Sequence, residues 1–505
     1  MVERGTSDTT GFGEETQRIP ESRSEAETAE GKCKQASLAG RHVVAGIPPG
    51  CGRFAHVVRW CRFVQPPANG WEPFGFSISY LIPIPLPTTT SSFHSSVNPP
   101  LQSSGSPPNY FSNCTHCGFC LAVCPTYKLT GDENNSPRGR LRLWSEEAAG
   151  RLPQDKWTDF YTAECVGCLA CETACPATVP YGEIFEHVRH EHVDSHRFKP
   201  KLALRLAAAA VTRPMLFNLA MLPARLLRSA GLSLHRFLFP GSPSVLKSTA
   251  AYADELMQRH RPTGPRVALL TGCLMEAMFR EINFATVRVL IENNVQVIIP
   301  EGQGCCGAFQ EHTGLDGVEA LRERNRRAFG PLDVDAIVSN SSGCGYALGK
   351  TLQPNKQVHD VLGFLGKLGP VRRQRGRDDG TRLYVDLPCH LVHGQKAAGI
   401  PANVLDATGY RWELAPKAKD CCGSGGVYNI QKPENASAIL ADKSAFLNEA
   451  EGAPVILGTS NHVCMMQWHS AGATGLVTRP YEVKHIIQLL DPGEKFSIPS
   501  NSPQL

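Results

Sequence analysis

Eight cysteines carry the strongest chemical signal in this 505-residue chain. The run Cys114-x2-Cys117-x2-Cys120-x3-Cys124-Pro125 recurs as Cys165-x2-Cys168-x2-Cys171-x3-Cys175-Pro176. Three thiolates at i, i+3 and i+6 on a tight loop can wrap three corners of an iron–sulfur cube. In two-cluster ferredoxins the fourth cysteine, held before the proline, reaches the other cube. The spacing therefore predicts cluster I on Cys114, Cys117, Cys120 and Cys175, and cluster II on Cys165, Cys168, Cys171 and Cys124. A pair of zinc knuckles is the alternative, but such Cys-x2-Cys pairs lack the third step and the proline. Two neighbouring cubes suit one-electron relay and do not by themselves suggest hydrolysis or group transfer.

A second constellation is duplicated. Cys273 and Cys305 are 32 positions apart, and so are Cys389 and Cys421. Cys306-Gly307 and Cys422-Gly423 follow directly, and Cys344 and Cys464 complete the two sets. Chance does not easily give that pattern. These eight residues are candidates for a further cluster or for redox thiols, with burial as plain core cysteines the alternative. Gly307 and Gly423 are expected to allow the turn that presents both thiols.

Other polar residues near the cysteines read less sharply. Arg138 and Arg140, in Pro137-Arg138-Gly139-Arg140, either offset cluster charge or meet a partner's acid, or sit in a solvated loop that leads into a helix over 141–149. His116 lies between ligands of cluster I, where it either tunes the potential through its charge or, as the favoured reading, is an exposed bystander. His390 and His393 flank Cys389, where they either assist thiol deprotonation or stand at the surface.

Composition narrows the setting. Nineteen cysteines in a chain of this length are too few for a disulfide scaffold, and their clustering points to metal and a reducing compartment. A formal charge of +4 marks no polyanion binder, so nucleic acid is not an expected partner. No apolar run reaches the length of a spanning helix, and no basic segment followed by an apolar core marks a secretory signal.

The elements that must position these residues fall into six stretches. Residues 1–108 show no sustained periodicity and are expected to be disordered or upstream sequence, with Val97 or Leu101 as a translation start; Cys33, Cys51 and Cys61 lie there and are expected to have no role. Residues 109–196 form the two-cluster domain. Residues 197–262 form a basic, apolar connector with helices over 201–211 and 216–227. From Arg197 to Lys247 it has no acid, which points to an anionic lipid surface or an acidic partner. Residues 263–376 and 377–492 are the repeats, and 493–505 a tail. In each repeat, strand, helix, strand, Cys-Cys-Gly, helix, strand predicts parallel βαβ units with cysteines at strand C-termini. The predicted strands are 266–271, 295–299 and 336–339, then 383–387, 410–414 and 455–458. The fold class is thus α/β and multidomain: a mostly helical ferredoxin-like domain, then two duplicated parallel α/β domains.

The stretches CTHCGFCLAVCPTYKLTGDENNSPRGRL (114–141), CVGCLACETACPATVPYG (165–182), GCCGAF (304–309), NSSGCG (340–345), PCHLVHGQK (388–396) and CCGSGGVYNI (421–430) together resemble the glycolate oxidase iron–sulfur subunit family over about residues 110–490. The resemblance implies an oxidoreductase complex that acts on a CH–OH donor. In it, partner flavoprotein subunits oxidise a 2-hydroxy acid by hydride transfer to FAD. The iron–sulfur subunit relays the electrons to a quinone-type acceptor. It implies a cytoplasmic chain, peripheral on the inner membrane. Related subunits serve lactate and glycerol-3-phosphate oxidation. Heterodisulfide reductase subunits share the Cys-Cys-Gly repeat, which makes a thiol–disulfide redox subunit the alternative. The fuller motif ends in Cys-x-x-Cys, whereas Ala347 and Gln467 stand at the last positions here. No GxGxxG follows a strand, so no catalytic or flavin-binding residue is expected on this chain, and the hydride step falls to a partner.

Overall fold

The computed structural model describes residues 110–153, 156–195, 202–223, 247–369, 371–377, 379–450, 452–494 and 496. The expectations for 1–108, for the three cysteines there and for most of the tail lie outside the described residues.

Two four-stranded parallel sheets carry the repeats. The first is ordered β2-β1-β3-β4, from β1 (Arg266–Leu270), β2 (Gln296–Ile298), β3 (Ala336–Ser339) and β4 (Val358–Asp360). The second is ordered β6-β5-β7-β8, from β5 (Arg382–Val385), β6 (Arg411–Leu414), β7 (Val455–Thr459) and β8 (Glu482–His485). Registers also repeat: Val267 pairs with Ala336 in one sheet and its counterpart Leu383 with Ile456 in the other. Central strands β1, β3, β5 and β7 are almost wholly buried runs of Val, Ile, Leu and Ala, as parallel sheets covered on both faces require. The sequence pattern predicts three strands per repeat, and the structure has four. The fourth, at β4 and β8, is short and carries His359 or His485, Lys484 and Glu482, so it shows no apolar run.

One apolar core spans both repeats, from Val267 through Phe279 and Leu290 to Leu383, Leu457 and Trp468. The helix Arg280–Glu292 lies within it, and every residue from Ile282 to Ile291 is buried. The ends of β3 and β7 also meet. Ser341 Oγ donates to Asn461 Oδ1 at 3.0 Å, and His485 Nε2 lies 2.8 Å from the carbonyl of Asn340. The helix Thr249–His260, capped by Ser248, buries Tyr252, Ala253 and Leu256 in the same core. The end of the connector therefore packs as part of the first repeat.

The ferredoxin-like part is helical: Pro125–Thr130, Pro137–Ala148, Lys156–Ala163, Ala170–Thr173 and Tyr181–Asp194. Pro125 opens the helix that follows Cys124, since proline's fixed φ suits the first helical turn. Ser136 caps the next helix by accepting from Gly139 N–H at 3.0 Å, and Pro137 again opens it. This helix starts at Pro137 rather than at 141, which puts Arg138 and Arg140 on its first turns. Ion pairs tie the unit to the repeats: Lys350 with Glu186 at 2.8 Å, Lys128 with Asp420 at 3.1 Å, and Lys432 with Glu164. In the connector the helices are Leu202–Val211 and Pro214–Ala220; the expected stretch 224–227 lies outside the described residues.

Candidate metal centres

The two cysteine loops share one backbone. In the first, His116 and Gly118 take φ of 54° and 86°; in the second, Gly167 and Leu169 take φ of 72° and 63°. These residues flank the middle cysteine on both sides in both loops. Left-handed turns on either side of it curl the chain so that all three thiols face inward. His116 and Leu169 hold this geometry at a steric cost that glycine would not incur. His116 is exposed, as read, but its carbonyl accepts from Arg138 Nη1 at 3.0 Å, which pins the turn.

A cavity is lined by Cys114, Cys117, Cys120 and Cys175, together with Cys171, Arg138, Leu141 and Tyr181. The four thiols assigned to cluster I thus border one space. Cys117 is exposed and Phe119 beside it is 65% exposed, so this space lies near the surface. Burial pushes the Cys120 thiol up to about 11. Cys124, Cys165, Cys168 and Cys171 are buried. Burial drives Cys171 upward, and the charges of Cys168, Cys165 and Cys124 add to it, so the other three thiols lie around Cys171. Tyr181 Oη donates to Cys165 Sγ at 3.6 Å. Among the described residues, no three His, Cys, Asp or Glu side chains close on a point as they would around a single ion. A cubane sets its thiolates wider apart than one ion does.

The two arginines separate. Arg138 is half-buried and gives its charge to Glu133, with Nε 2.5 Å from Oε1. Arg140 is completely buried. It donates from Nε to the carbonyl of Tyr161 at 2.7 Å, and from Nη2 to Thr126 Oγ1 at 3.1 Å and Asn135 Oδ1 at 3.3 Å. All three acceptors are neutral, and Nη1 has no hydrogen-bond partner. Burial alone would push the guanidinium down; Tyr181, Cys165 and Cys124 hold it up. A buried cation with an orphaned donor beside thiols fits an anionic iron–sulfur cluster at that place.

The repeats gather their cysteines as well. In the first, Cys273 Sγ lies 3.5 Å from Cys305 Sγ, and Cys306 is a hydrogen-bond partner of Cys344. In the second, Cys422 Sγ lies 3.3 Å from Cys464 Sγ, and Cys421 contacts Cys389 and Cys422. Gly307 and Gly423 take φ of 92° and 85°, the left-handed region such turns need. The surroundings differ. Cys273 and Cys305 pack against Val211, Phe217 and Leu321. Cys389 and Cys421 pack against Val166 and Cys168 of the second ferredoxin loop, and Cys421 is a hydrogen-bond partner of Cys168. Lys443, buried and ion-paired with Asp386 at 2.6 Å, places its charge next to Cys422 and Cys464.

His390 is half-buried beside the thiols. It sits in a single π-helical turn, His390–Gly394, with Nδ1 3.5 Å from Cys389 Sγ. Contact with Cys421 and the charge of His390 both hold Cys389 well below the usual thiol range, against burial. His393 faces away from the thiols, with Nδ1 2.9 Å from Thr173 Oγ1 and Nε2 3.2 Å from the carbonyl of Lys419. Gln467, where the fuller motif has a cysteine, is buried and accepts from Asn429 Nδ2 at 3.1 Å. Sequence spacing does not point to Arg189, Tyr181, Lys443 or the half-buried His312, whose ring lies 5.4 Å from that of His390. None of these sits at a fixed offset from a cysteine motif, so spacing carried no signal for them.

Residues 110–179 match the 4Fe-4S dicluster domain, and residues 267–349 and 385–468 each match the cysteine-rich CCG domain. The probable glycolate oxidase iron-sulfur subunit of Bacillus subtilis is 31% identical over 393 residues, covering 70% of this chain and 87% of that protein. The chain belongs to the glycolate oxidase iron–sulfur subunit family. The family's Escherichia coli member is likewise 31% identical, over 75% of this chain and 93% of its own length. Lactate utilization protein A of Geobacillus thermodenitrificans is 24% identical over 45% of this chain and 98% of that protein. Both glycolate oxidase relatives are matched over nearly their whole length, so the likeness spans the ferredoxin-like part and both repeats together.

Proposed function

We propose that this chain is the electron-transfer subunit of a glycolate-oxidising complex. Partner flavoprotein subunits remove hydride from the 2-hydroxy acid onto FAD, and this chain takes the electrons onward one at a time. Cluster I is held by Cys114, Cys117, Cys120 and Cys175, and cluster II by Cys124, Cys165, Cys168 and Cys171. The single observation that carries the reading is the pair of matching left-handed loops, with the cluster I thiols around one cavity and a buried, orphaned arginine beside the cluster II thiols. When bound, the clusters supply one-electron redox steps without proton or group transfer. The protein curls the loops, excludes water from cluster II and keeps Cys117 at the surface.

The test is iron and acid-labile sulfide content of the full chain, then electron paramagnetic resonance after glycolate is added to the chain with its flavoprotein partners. About eight iron atoms per chain and glycolate-dependent reduction of both clusters are expected. Zinc without iron, or clusters that stay oxidised while FAD is reduced, would sink the proposal.

One observation favours a further centre in the second repeat over the first. Cys421 touches Cys168, whereas Cys273 and Cys305 face apolar connector residues. Cys389, Cys421, Cys422 and Cys464 are therefore the better placed set to receive electrons from cluster II, either as an additional cluster or as a thiol–disulfide pair of heterodisulfide-reductase type. Iron clearly above two cubanes, lost on Cys422→Ser, marks the former; disulfide reduction by the isolated chain marks the latter.

A quinone-side acceptor and a peripheral position on the cytoplasmic face of a membrane complete the reading. No helix among the described residues is long and apolar enough to cross a membrane. Leu202, Leu206, Leu216 and Leu219 are all more than half exposed, near Arg205 and Arg213, in the acid-free connector. That mixture suits the surface of anionic lipid. Co-sedimentation with anionic vesicles at low salt and release at high salt is expected; no binding at low salt would count against it.

A further inference from the structure

We propose that Arg140 and Arg189 make cluster II the higher-potential member of the pair, so that an electron arriving at the surface-near cluster I runs inward. The inference rests on the two-cluster reading above.

Arg189 lies on the helix Tyr181–Asp194 and is buried, with its guanidinium 5.0 Å from the Phe185 ring. Its Nη2 has no hydrogen-bond partner. The Phe185 ring packs in one cluster with Cys165 and Cys171, and Cys165 is the strongest favourable charge on Arg189; Arg140 shares Thr126 Oγ1 with the Cys124 thiol. Among the described residues neither arginine is ion-paired with a carboxylate. Two unpaired guanidiniums in one dry core are costly. They need an anion there, and the four thiolates of cluster II supply it.

The consequence for redox follows from charge. A four-thiolate cubane is anionic, and reduction adds one electron and so one more negative charge. Nearby positive charge favours the reduced form and raises the potential, most strongly where the dielectric is low. Two acids oppose this: Glu172, half-buried, which faces Cys171 and accepts from Gly182 N–H at 2.5 Å, and buried Glu164, next to Cys165, whose charge Lys432 neutralises in an ion pair. The tally still favours the two arginines. Around cluster I the only guanidinium in the cavity wall is Arg138, and Glu133 cancels it through two hydrogen bonds. Solvent at Cys117 works in the opposite sense, by stabilising the more charged reduced form of cluster I. A partial exposure is weaker than two full charges held in a dry core. The step itself balances simply: cluster I gives up one electron, cluster II accepts it, and no bond or proton moves.

The test is a potentiometric titration of the full chain carrying both clusters, followed by electron paramagnetic resonance. Cys117→Ser and Cys124→Ser identify the two signals. In the unaltered chain the signal disturbed by Cys124→Ser should have the higher midpoint. Arg140→Gln should lower that midpoint enough to shift the electron distribution at least tenfold, about 59 mV for one electron. It should leave the other midpoint in place, and Arg140→Lys should retain most of the original value. Arg189→Gln provides the same readout if Arg140→Gln fails to fold. Reversed order in the unaltered chain, or unmoved midpoints in the folded variants, overturns the inference while the two-cluster reading stands. An unaltered chain that holds only one cluster overturns that reading and the inference with it.

Discussion

The thiol of Cys168, in the second ferredoxin loop, is a hydrogen-bond partner of Cys421, the first residue of the second Cys-Cys-Gly turn. Val166 and Tyr428 pack around the same contact. Among the described residues, the two cysteine constellations are therefore joined through the second repeat. Replacing Cys421 by Ser should change the resonance line shape of cluster II, because Cys421 lies against Cys168, which the proposed assignment gives to that cluster. Cys305→Ser, in the first repeat, should leave that line shape as it was. Equal effects from both variants would show that the contact has no electronic role.

Much of this was legible in the sequence, and the limits are physical. The ferredoxin cysteines are close in the chain, so spacing alone predicts their grouping. The duplication gave two parallel sheets, because β1 and β5 read as continuous apolar runs. Long-range contacts left no such trace. Nothing near Cys168 announces Cys421, and nothing near Cys165 announces Arg189. Arg138 and Arg140 look alike in sequence, two positions apart on one helix. That spacing turns them to different sides: one meets Glu133 near the surface and the other enters the core.

The loop Gly423–Gly426 holds the second repeat against the second ferredoxin loop. Gly425 has φ of 47°, and a Cβ there would stand 2.6 Å from the carbonyl oxygen of Val166. That neighbour is backbone and cannot swing aside. Gly302 has φ of 76° with nothing within 4 Å of its would-be Cβ. Gly302→Ala should therefore cost only the left-handed strain, about 1–2 kcal/mol. Gly425→Ala should cost that and more, and should also loosen cluster II. Thermal melts of the two variants, with iron retention after mild chelation, check both expectations.

Phe119 stands 65% exposed between Cys117 and Cys120 on the outer wall of the cluster I cavity. A large apolar ring held in water on that wall is where the proposed flavoprotein partner would dock. Phe119→Ser should slow glycolate-dependent reduction of the clusters by about tenfold or more, if the contact contributes about 1.4 kcal/mol or more. Iron content and reduction by dithionite should stay unchanged. Stopped-flow mixing with the reduced partner separates the two, and an unchanged rate would place the docking face elsewhere.

Asp360 ends β4 and caps the helix Val361–Lys367, with Oδ1 accepting from Leu362 N–H at 3.0 Å. Ser342 Oγ donates to its other oxygen at 3.3 Å. No cation pairs with it among the described residues, and burial pushes its carboxyl up to about 7. An acid raised in the folded state binds its proton more tightly there than in the unfolded chain. Its contribution is thus fully present below the ordinary carboxyl range, near pH 4, and is lost as pH rises through about 7. Asp360→Asn keeps a cap acceptor and removes the charge. The variant should gain on the unaltered chain as pH rises from 5 to 8, by a few kcal/mol at most. Melting temperatures of both proteins across that range decide it. A difference that stays constant with pH would mean that Asp360 titrates at its ordinary value, with its two donors and local water making up for burial.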